Sequence, residues 1–483
     1  MSEPCELSAV TARRLIGARK LSPVELLESC LKRIALTNPA INAMVAMDTT
    51  RAMTEAREAE AAVMCGENLG LLHGLPIGVK DLERTAGLRT TWGSELFKDH
   101  VPTEDAPHIV SIRAAGGIVL GKTNAPEFGA GGNTTNRVYG PTGNPFDPAL
   151  TSAGSSGGSA AALAAGQVPL ATGSDYGGSI RTPAAFCGVV GFRPSASLVP
   201  YTDRLTGLMP WAVLGPMGRS LADAHLLLRA EVDIDRRDVF SRGDRRSVPD
   251  ALMPADLGAL RVAISVDLGQ APVDHAIKQT FLKKMKRLAG HFHGIEEKSP
   301  DFSGVLDVYE VFRAIIFYAQ HAEKVEKYPD LVGPNVTDDV ARAARFTLPD
   351  IARAHVEQTK LTKRFQTFFD DFDVLIAPAA SVSPFDKRTL FVKSINGNEM
   401  STYTRWLSIT NFPSMALAAA VALPAGLDDQ GLPFGIQLLG PRGSDAQLLD
   451  IAAAVEQALN SDNELARPLP NIANLDMRVQ EAR

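Results

Sequence analysis

Apolar residues in this chain recur in places at every second position and elsewhere at every third or fourth, and the changes of spacing divide it into strands and helices. Residues 8–18 carry a short amphipathic pattern. Ser22-Pro23-Val24-Glu25 reads as a capping box with proline at the first helical position. The helix it opens reaches about residue 36, with Leu26, Leu27, Cys30, Leu31 and Ile34 on one face, and Asn38-Pro39 stops it. Residues 41–47 read as a strand and 49–65 as an Ala/Glu-rich helix. An apolar strand, Leu75-Pro76-Ile77-Gly78-Val79, ends in Lys80-Asp81. Residues 108–115 read as helix and 117–121 as strand. Then 160–165 is a run of helix formers, 168–172 a short buried strand and 180–186 a second short helix.

Beyond residue 194 the same pattern predicts helix over 221–230, strand over 260–267 and helix over 273–289. Helix over 307–328 carries an apolar stripe of Val308, Val311, Phe312, Ile315, Ile316 and Tyr318. Helix over 348–369, strand over 372–378, helix over 403–411 and strand-like runs at 415–423 and 432–440 follow. Ser444-Asp445-Ala446-Gln447 reads as a capping box for a last helix to residue 459. Residues 236–250 read as a charged loop and 381–393 as irregular, and no periodic pattern follows residue 468. Strands alternate with helices, without repeats or a long linker, which predicts one α/β domain.

At 483 residues the chain is long enough for a large core, and its net charge of −6 offers nothing to nucleic acid or an anionic membrane. The N-terminus has no basic-then-apolar leader, and no apolar run is long enough to span a membrane, so a cytoplasmic protein is expected. Cys5, Cys30, Cys65 and Cys187 lie at no metal-site spacing and read as free thiols. No metal or cofactor is expected.

The chemistry concentrates between residues 151 and 194. Two Gly/Ser clusters, Gly154-Ser155-Ser156-Gly157-Gly158-Ser159 and Tyr176-Gly177-Gly178-Ser179, flank a small-residue segment and a short apolar run. Gly/Ser loops that open helices present backbone N–H groups suited to a developing oxyanion. Upstream, Lys80 ends an apolar strand, where burial of an ammonium is costly. On strand composition alone a solvated lysine at a strand end is the plainer reading.

The two clusters, with Ser179 lying 24 residues after Ser155, resemble the core motif of the amidase signature family, and Gly78-Val79-Lys80-Asp81 resembles its lysine motif, 75 residues before Ser155. Gly215-Pro216-Met217-Gly218-Arg219 and the pattern Gly431-Leu432-Pro433-x-Gly435-x-Gln437 are also similar to the family's, so the resemblance covers most of the chain. It implies one domain over residues 1–483 with a mixed central sheet covered by helices on both faces. Within it the N-terminal helical region spans about 1–70, the catalytic core about 71–220, a more variable region about 221–400 and a return to the core about 401–465.

The resemblance implies a serine hydrolase that cleaves a carboxamide C–N bond, with esters and carbamates among the family's substrates. Its implied nucleophile is Ser179, with backbone N–H groups of Tyr176, Gly177, Gly178 and Ser179 as the oxyanion hole. Lys80 is the base, because desolvation favours the neutral amine that accepts a proton. Ser155 relays the proton between them and in the family sits beside a cis peptide bond. Ser156 joins the network, and Asp175 and Arg181 form a supporting ion pair. Gly131 and Gly132 line the substrate site in the family or form an ordinary loop. Thr151 and Ser152 touch substrate or make a turn. Phe312, Ile316 and Tyr318 wall the acyl cleft or pack in the core. Tyr176 stands where the family commonly has a small or β-branched residue.

Small-molecule amides, esters or carbamates are the expected partners, and a homodimer is the assembly allowed for. Three other readings stay open: the glutamine amidase subunit of a tRNA-dependent amidotransferase, against which the segment after Arg193 counts; a binding paralogue without turnover, against which the three filled catalytic positions count; and an α/β-hydrolase. For the last, Gly154-Ser155-Ser156-Gly157-Gly158 fits G-x-S-x-G with Ser156 as nucleophile. It needs a strand directly before the motif, and residues 147–153 read poorly as one.

Overall fold

A computed structural model describes residues 3–241 and 248–481, which leaves part of the predicted 236–250 loop outside the described residues. Its strands up to the second Gly/Ser cluster are β1 (Met44–Met47), β2 (Pro76–Lys80), β3 (Ile118–Thr123), β4 (Gly143–Asn144), β5 (Asp147–Thr151) and β6 (Leu170–Asp175). Next come β7 (Val190–Arg193), β8 (Val213–Gly218), β9 (Val262–Ile264), β10 (Ile295–Glu297) and β11 (Val374–Pro378). The last are β12 (Ser394–Ile395), β13 (Asn398–Glu399), β14 (Ala419–Leu427) and β15 (Pro433–Gly440). Eleven of them form one sheet in the order β1-β3-β2-β6-β8-β7-β14-β15-β11-β9-β10. The sheet is mixed. Strands β3, β2 and β6 run parallel, as do β10, β9 and β11, and the pairs between these two groups are antiparallel.

Period-2 alternation decides what each face of the parallel trio carries. Ile77, Val79, Val119 and Leu170 enter a core with Ala12 and Ile16 of the helix Ala9–Gly17 and Ile109 and Ile112 of the helix Pro107–Ala114. Ile118, Leu120 and Ala171 enter a separate core beneath the helix Gly157–Ala164. Helices therefore cover both faces, as expected. Lys80 shares parity with Gly78, not with Val79, so its side chain leaves β2 on the face of the helix Gly157–Ala164. That helix sits close to the sheet edge: a Cβ on Gly158 would lie 2.2 Å from the Asn124 backbone nitrogen. Only glycine permits that approach.

Four sequence expectations change. Pro39 does not stop the second helix, which spans Pro23–Ile41 and ends at Asn42 in the left-handed conformation. Proline lacks only one intrahelical donor, close to the helix end. The Asn38 carboxamide shapes the exit instead, accepting the N–H groups of Ala43 and Met44, each at 2.9 Å. Residues 147–151, read as a poor strand, form β5, paired with β4 in a ribbon outside the main sheet. The last predicted helix, Asp445–Asn460, has no capping box; the Ser444 hydroxyl donates to the Pro441 carbonyl at 2.8 Å. The tail after residue 468 contains the helix Ile472–Glu481, which packs on Pro23–Ile41 and buries Leu475. No helix among the described residues is long and apolar enough to cross a membrane.

Candidate active site

Parallel pairing of β2 and β6 brings their carboxyl ends to one edge of the sheet, where Lys80 and the second Gly/Ser cluster emerge together. Ligand sites in α/β sheets gather at such ends. The first cluster arrives there as the start of the helix Gly157–Ala164. A backbone hydrogen bond from Ser156 N–H to the Ser179 carbonyl, 3.0 Å, ties the two clusters to each other.

Lys80 is fully buried. Its Nζ donates to Ser155 Oγ and Ser156 Oγ, each at 2.8 Å, and to Ser174 Oγ at 2.9 Å. Burial pushes the Lys80 ammonium down to about 7, against the opposing pull of the Glu83 and Asp175 carboxylates. A lysine in that range holds a useful population of neutral amine near neutral pH. The peptide bond Gly154–Ser155 is cis. Ser156 is buried between Lys80 and Ser174, whereas Ser179 is partly exposed. Among the described residues the Ser179 hydroxyl has no hydrogen-bond partner in the chain, and no histidine hydrogen-bonds to Ser155, Ser156 or Ser179.

Asp175 organises the loop that carries Ser179. Its Oδ1 accepts the Gly178 N–H at 2.7 Å and its Oδ2 the Ile180 N–H at 3.2 Å. Arg181 Nε and Arg193 each approach the carboxylate at 3.1 Å. Burial raises the Asp175 carboxyl, but the two guanidiniums and these donors hold it well below the usual carboxylate range. Arg181 continues to Gln437 Oε1 at 2.8 Å and Ser414 Oγ at 2.6 Å, so β15 and the helix Ser408–Met415 brace the loop. The pair expected from the sequence is therefore one side of a larger network, in which Arg193, Ser414 and Gln437 were not foreseen as partners. The glutamine of the C-terminal pattern was the one visible signal for it.

The oxyanion set needs a correction. With the Gly178 N–H given to Asp175, the N–H groups of Tyr176, Gly177 and Ser179 remain as donors. Gly178 has φ +116°, and a Cβ there would lie 2.0 Å from Thr410 Oγ1. Gly178→Ala is expected to destabilise the fold by about 2–3 kcal/mol through backbone strain and that clash. It should also lower kcat more than it raises KM. Thermal melting and steady-state kinetics check both.

The other candidate residues separate. Gly131 and Gly132 are buried: the Gly131 carbonyl backs onto Gly154, and a Cβ on Gly132 would meet the Trp406 ring at 2.4 Å. Thr151 ends β5, donates to Asn133 Oδ1 at 2.6 Å and accepts from Ala153 N–H at 3.0 Å. Ser152 Oγ is buried, with no partner among the described residues. Phe312 is fully buried, stacked on Trp211 with centroids 4.4 Å apart, and belongs to the core. Ile316 is half-buried, and Tyr318 is 54% exposed. Of the stripe, Val308, Val311 and Phe312 pack as core, the commoner fate of helical spacing.

A cavity of about 420 Å³ is lined by Leu82, Trp92, Phe97, Phe128, Tyr201 and His321, among others. Leu82 of its lining and Ser155 Oγ flank Gly129, at 3.0 Å (Cδ1) and 3.7 Å from where a Cβ there would stand. His321 stacks on Phe128 at 4.4 Å, and burial holds it neutral, down to about 3. Tyr176 packs against Tyr309 at 5.6 Å and under the Arg313 guanidinium.

A mixed eleven-stranded sheet, with a buried lysine and two serine clusters at one edge, defines a class. The family model described as Amidase matches residues 25–449, and the chain belongs to the amidase signature family of amide-hydrolysing enzymes. It is 33% identical over 453 residues to an acylamidase of Rhodococcus erythropolis, covering 93% of this chain and 95% of that one. It is 32% identical over 495 residues to a glutamyl-tRNA(Gln) amidotransferase subunit of Acidothermus cellulolyticus, covering 95% of each. The crystal structure of a bacterial aryl acylamidase of the family superposes with a TM-score of 0.84 at 28% identity, over 94% of this chain and 96% of that one.

Proposed function

We propose that the chain is a free-standing amidase that hydrolyses small aryl-bearing amides through an acyl-enzyme on Ser179. The observation that carries the reading is the buried Lys80 amine within hydrogen-bond reach of Ser155, beside a partly exposed Ser179 that has no internal partner among the described residues. In this reading Ser179 Oγ attacks the carbonyl carbon while its proton passes to Ser155 Oγ, whose own proton passes to neutral Lys80. The oxyanion is received by the N–H groups of Tyr176, Gly177 and Ser179. Collapse of the tetrahedral adduct breaks the C–N bond, and the proton returns from Lys80 through Ser155 to the leaving nitrogen. Water then attacks the acyl carbonyl by the same relay and releases the carboxylate and Ser179.

Ser156 holds the third donor position of Lys80 and fixes the amine. Its full burial argues against an α/β-hydrolase nucleophile there, and β5 before it lies outside the main sheet. Preference for an aryl group is supported by the aromatic rings of the cavity whose Leu82 stands near Ser155, and by the similarity to acylamidases. Esters and carbamates of similar shape fit the same chemistry.

The purified chain alone is expected to turn over anilides and aryl esters at least about 100-fold faster than glutamine, a discrimination of roughly 3 kcal/mol from the aromatic cleft. A hydrolysis screen over aliphatic amides, anilides, glutamine, p-nitrophenyl esters and aryl carbamates checks it. Slow glutamine hydrolysis and nothing else would instead mark an amidotransferase subunit that lacks its partners.

A further inference from the structure

A second buried polar cluster lies behind Lys80, on the side away from the serines. Glu83 stands in the turn that leaves β2, with its N–H donated to the Lys80 carbonyl at 3.1 Å. Its side chain is 3% exposed. Oε2 accepts the Thr172 hydroxyl at 2.5 Å and lies 3.1 Å from His108 Nε2. The same Thr172 oxygen accepts the Lys80 backbone N–H at 3.0 Å. One line of hydrogen bonds thus runs from the Lys80 main chain through Thr172 to the Glu83 carboxylate. Glu83 Oε1 has no partner among the described residues.

The geometry points to Glu83 as a positioning residue for the hydrolysis: its carboxylate fixes the Thr172 hydroxyl that holds the Lys80 main chain, and with it the place of the Lys80 amine. This rests on the reading of Lys80 as the base.

A buried carboxylate with one oxygen lacking a partner among the described residues is costly unless charged or polar groups surround it, and they do here. Lys122, from β3, is fully buried and donates to the Glu83 carbonyl and to Thr85 Oγ1, the latter at 2.9 Å. His108 faces Glu83 from the helix Pro107–Ala114 and Tyr201 from the segment after β7, and Asp81 joins Glu83 in facing Lys122. Glu231 faces it from the end of the helix Leu221–Glu231; it is fully buried and neither of its oxygens has a partner among the described residues. Burial, and then the neighbouring Glu83 carboxylate, drive the Glu231 carboxyl well above its ordinary range, so Glu231 is held as the neutral acid. On the far side Asp175 faces Lys80, already neutralised by Arg181 and Arg193. Glu83, ahead of Asp175, is the carboxylate that opposes the desolvation of Lys80.

The base works when neutral, so kcat/KM falls on the acid side as Lys80 gains its proton. Removing the Glu83 charge makes that proton easier to lose and moves the acid limb to lower pH. The test is the pH profile of kcat/KM on an anilide or aryl ester for the whole chain and for Glu83→Gln, which keeps the volume and an acceptor for Thr172. Glu83→Ala, which leaves room for water, is run beside it. The acid midpoint is expected to move down by about half a pH unit or more in each folded variant. Glu231→Gln, which mimics an acid already neutral, is expected to leave the midpoint where it is. A midpoint unchanged or raised in folded Glu83 variants overturns the proposal. So does an equal downward shift in Glu231→Gln, or failure of both Glu83 variants to fold, which would make the residue structural. If Lys80→Met keeps its activity, it is the base reading that has failed, independently of Glu83.

Discussion

Replacing Ser179 with alanine is expected to lower kcat/KM for anilides and aryl esters by about four orders of magnitude or more, since loss of a nucleophile leaves only binding and the oxyanion donors. The melting temperature should stay within about 2 °C of the parent, because a partly exposed hydroxyl without a partner contributes little to stability. That combination of large kinetic loss and intact fold distinguishes a nucleophile from a turn residue. The same substitution at Ser156 should behave differently. Ser156 accepts from Lys80 and lies against Ser174, so its loss disturbs the fold and the amine together. A Ser156→Ala variant without activity, with Ser179→Ala still active, would reverse the assignment.

Lys80→Met should cost about two to four orders of magnitude in kcat/KM, the usual range for a lost general base. It should do so without lowering stability. A buried amine pushed down to about 7 has lost much of its solvation energy, and an apolar side chain of similar length removes that penalty. The pH dependence carries the sharper signature. In the parent, kcat/KM should rise through a midpoint near pH 7 as the lysine becomes neutral. In Lys80→Met the residual activity should lose that limb. Stability of the parent should move in the same direction. The folded lysine releases its proton below the pH at which the unfolded one does, so the unfolded chain binds more protons between about 7 and 10.5. Stability from this group therefore rises with pH across that window.

Much of this site was legible because it sits at the ends of short, strongly patterned elements. Lys80 ends an apolar strand, and both Gly/Ser clusters open helices, so their places at one edge follow once β2 and β6 are parallel. Their spacing supplied the family resemblance. What was not legible comes from partners far apart in the chain. Ser174 meets the lysine from 94 residues away, and Thr172 meets Glu83 from 89. Nothing local marks either. The Gly178 N–H looked like an oxyanion donor until Asp175, three residues earlier, was seen to hold it. Phe312 shows the limit of a helical stripe: spacing says that a face is buried, not against what. The tail helix shows no sustained periodic stripe in the sequence because it is short; Leu475 and Ile472 pack it against the core.

Which serine becomes acylated decides the mechanism. Treating the purified chain with a serine-directed fluorophosphonate and locating the adduct by peptide mass spectrometry answers this directly. The adduct is predicted on Ser179, forming much more slowly in Lys80→Met and not at all in Ser179→Ala. An adduct on Ser156, or one on Ser179 that forms equally fast without Lys80, would contradict it.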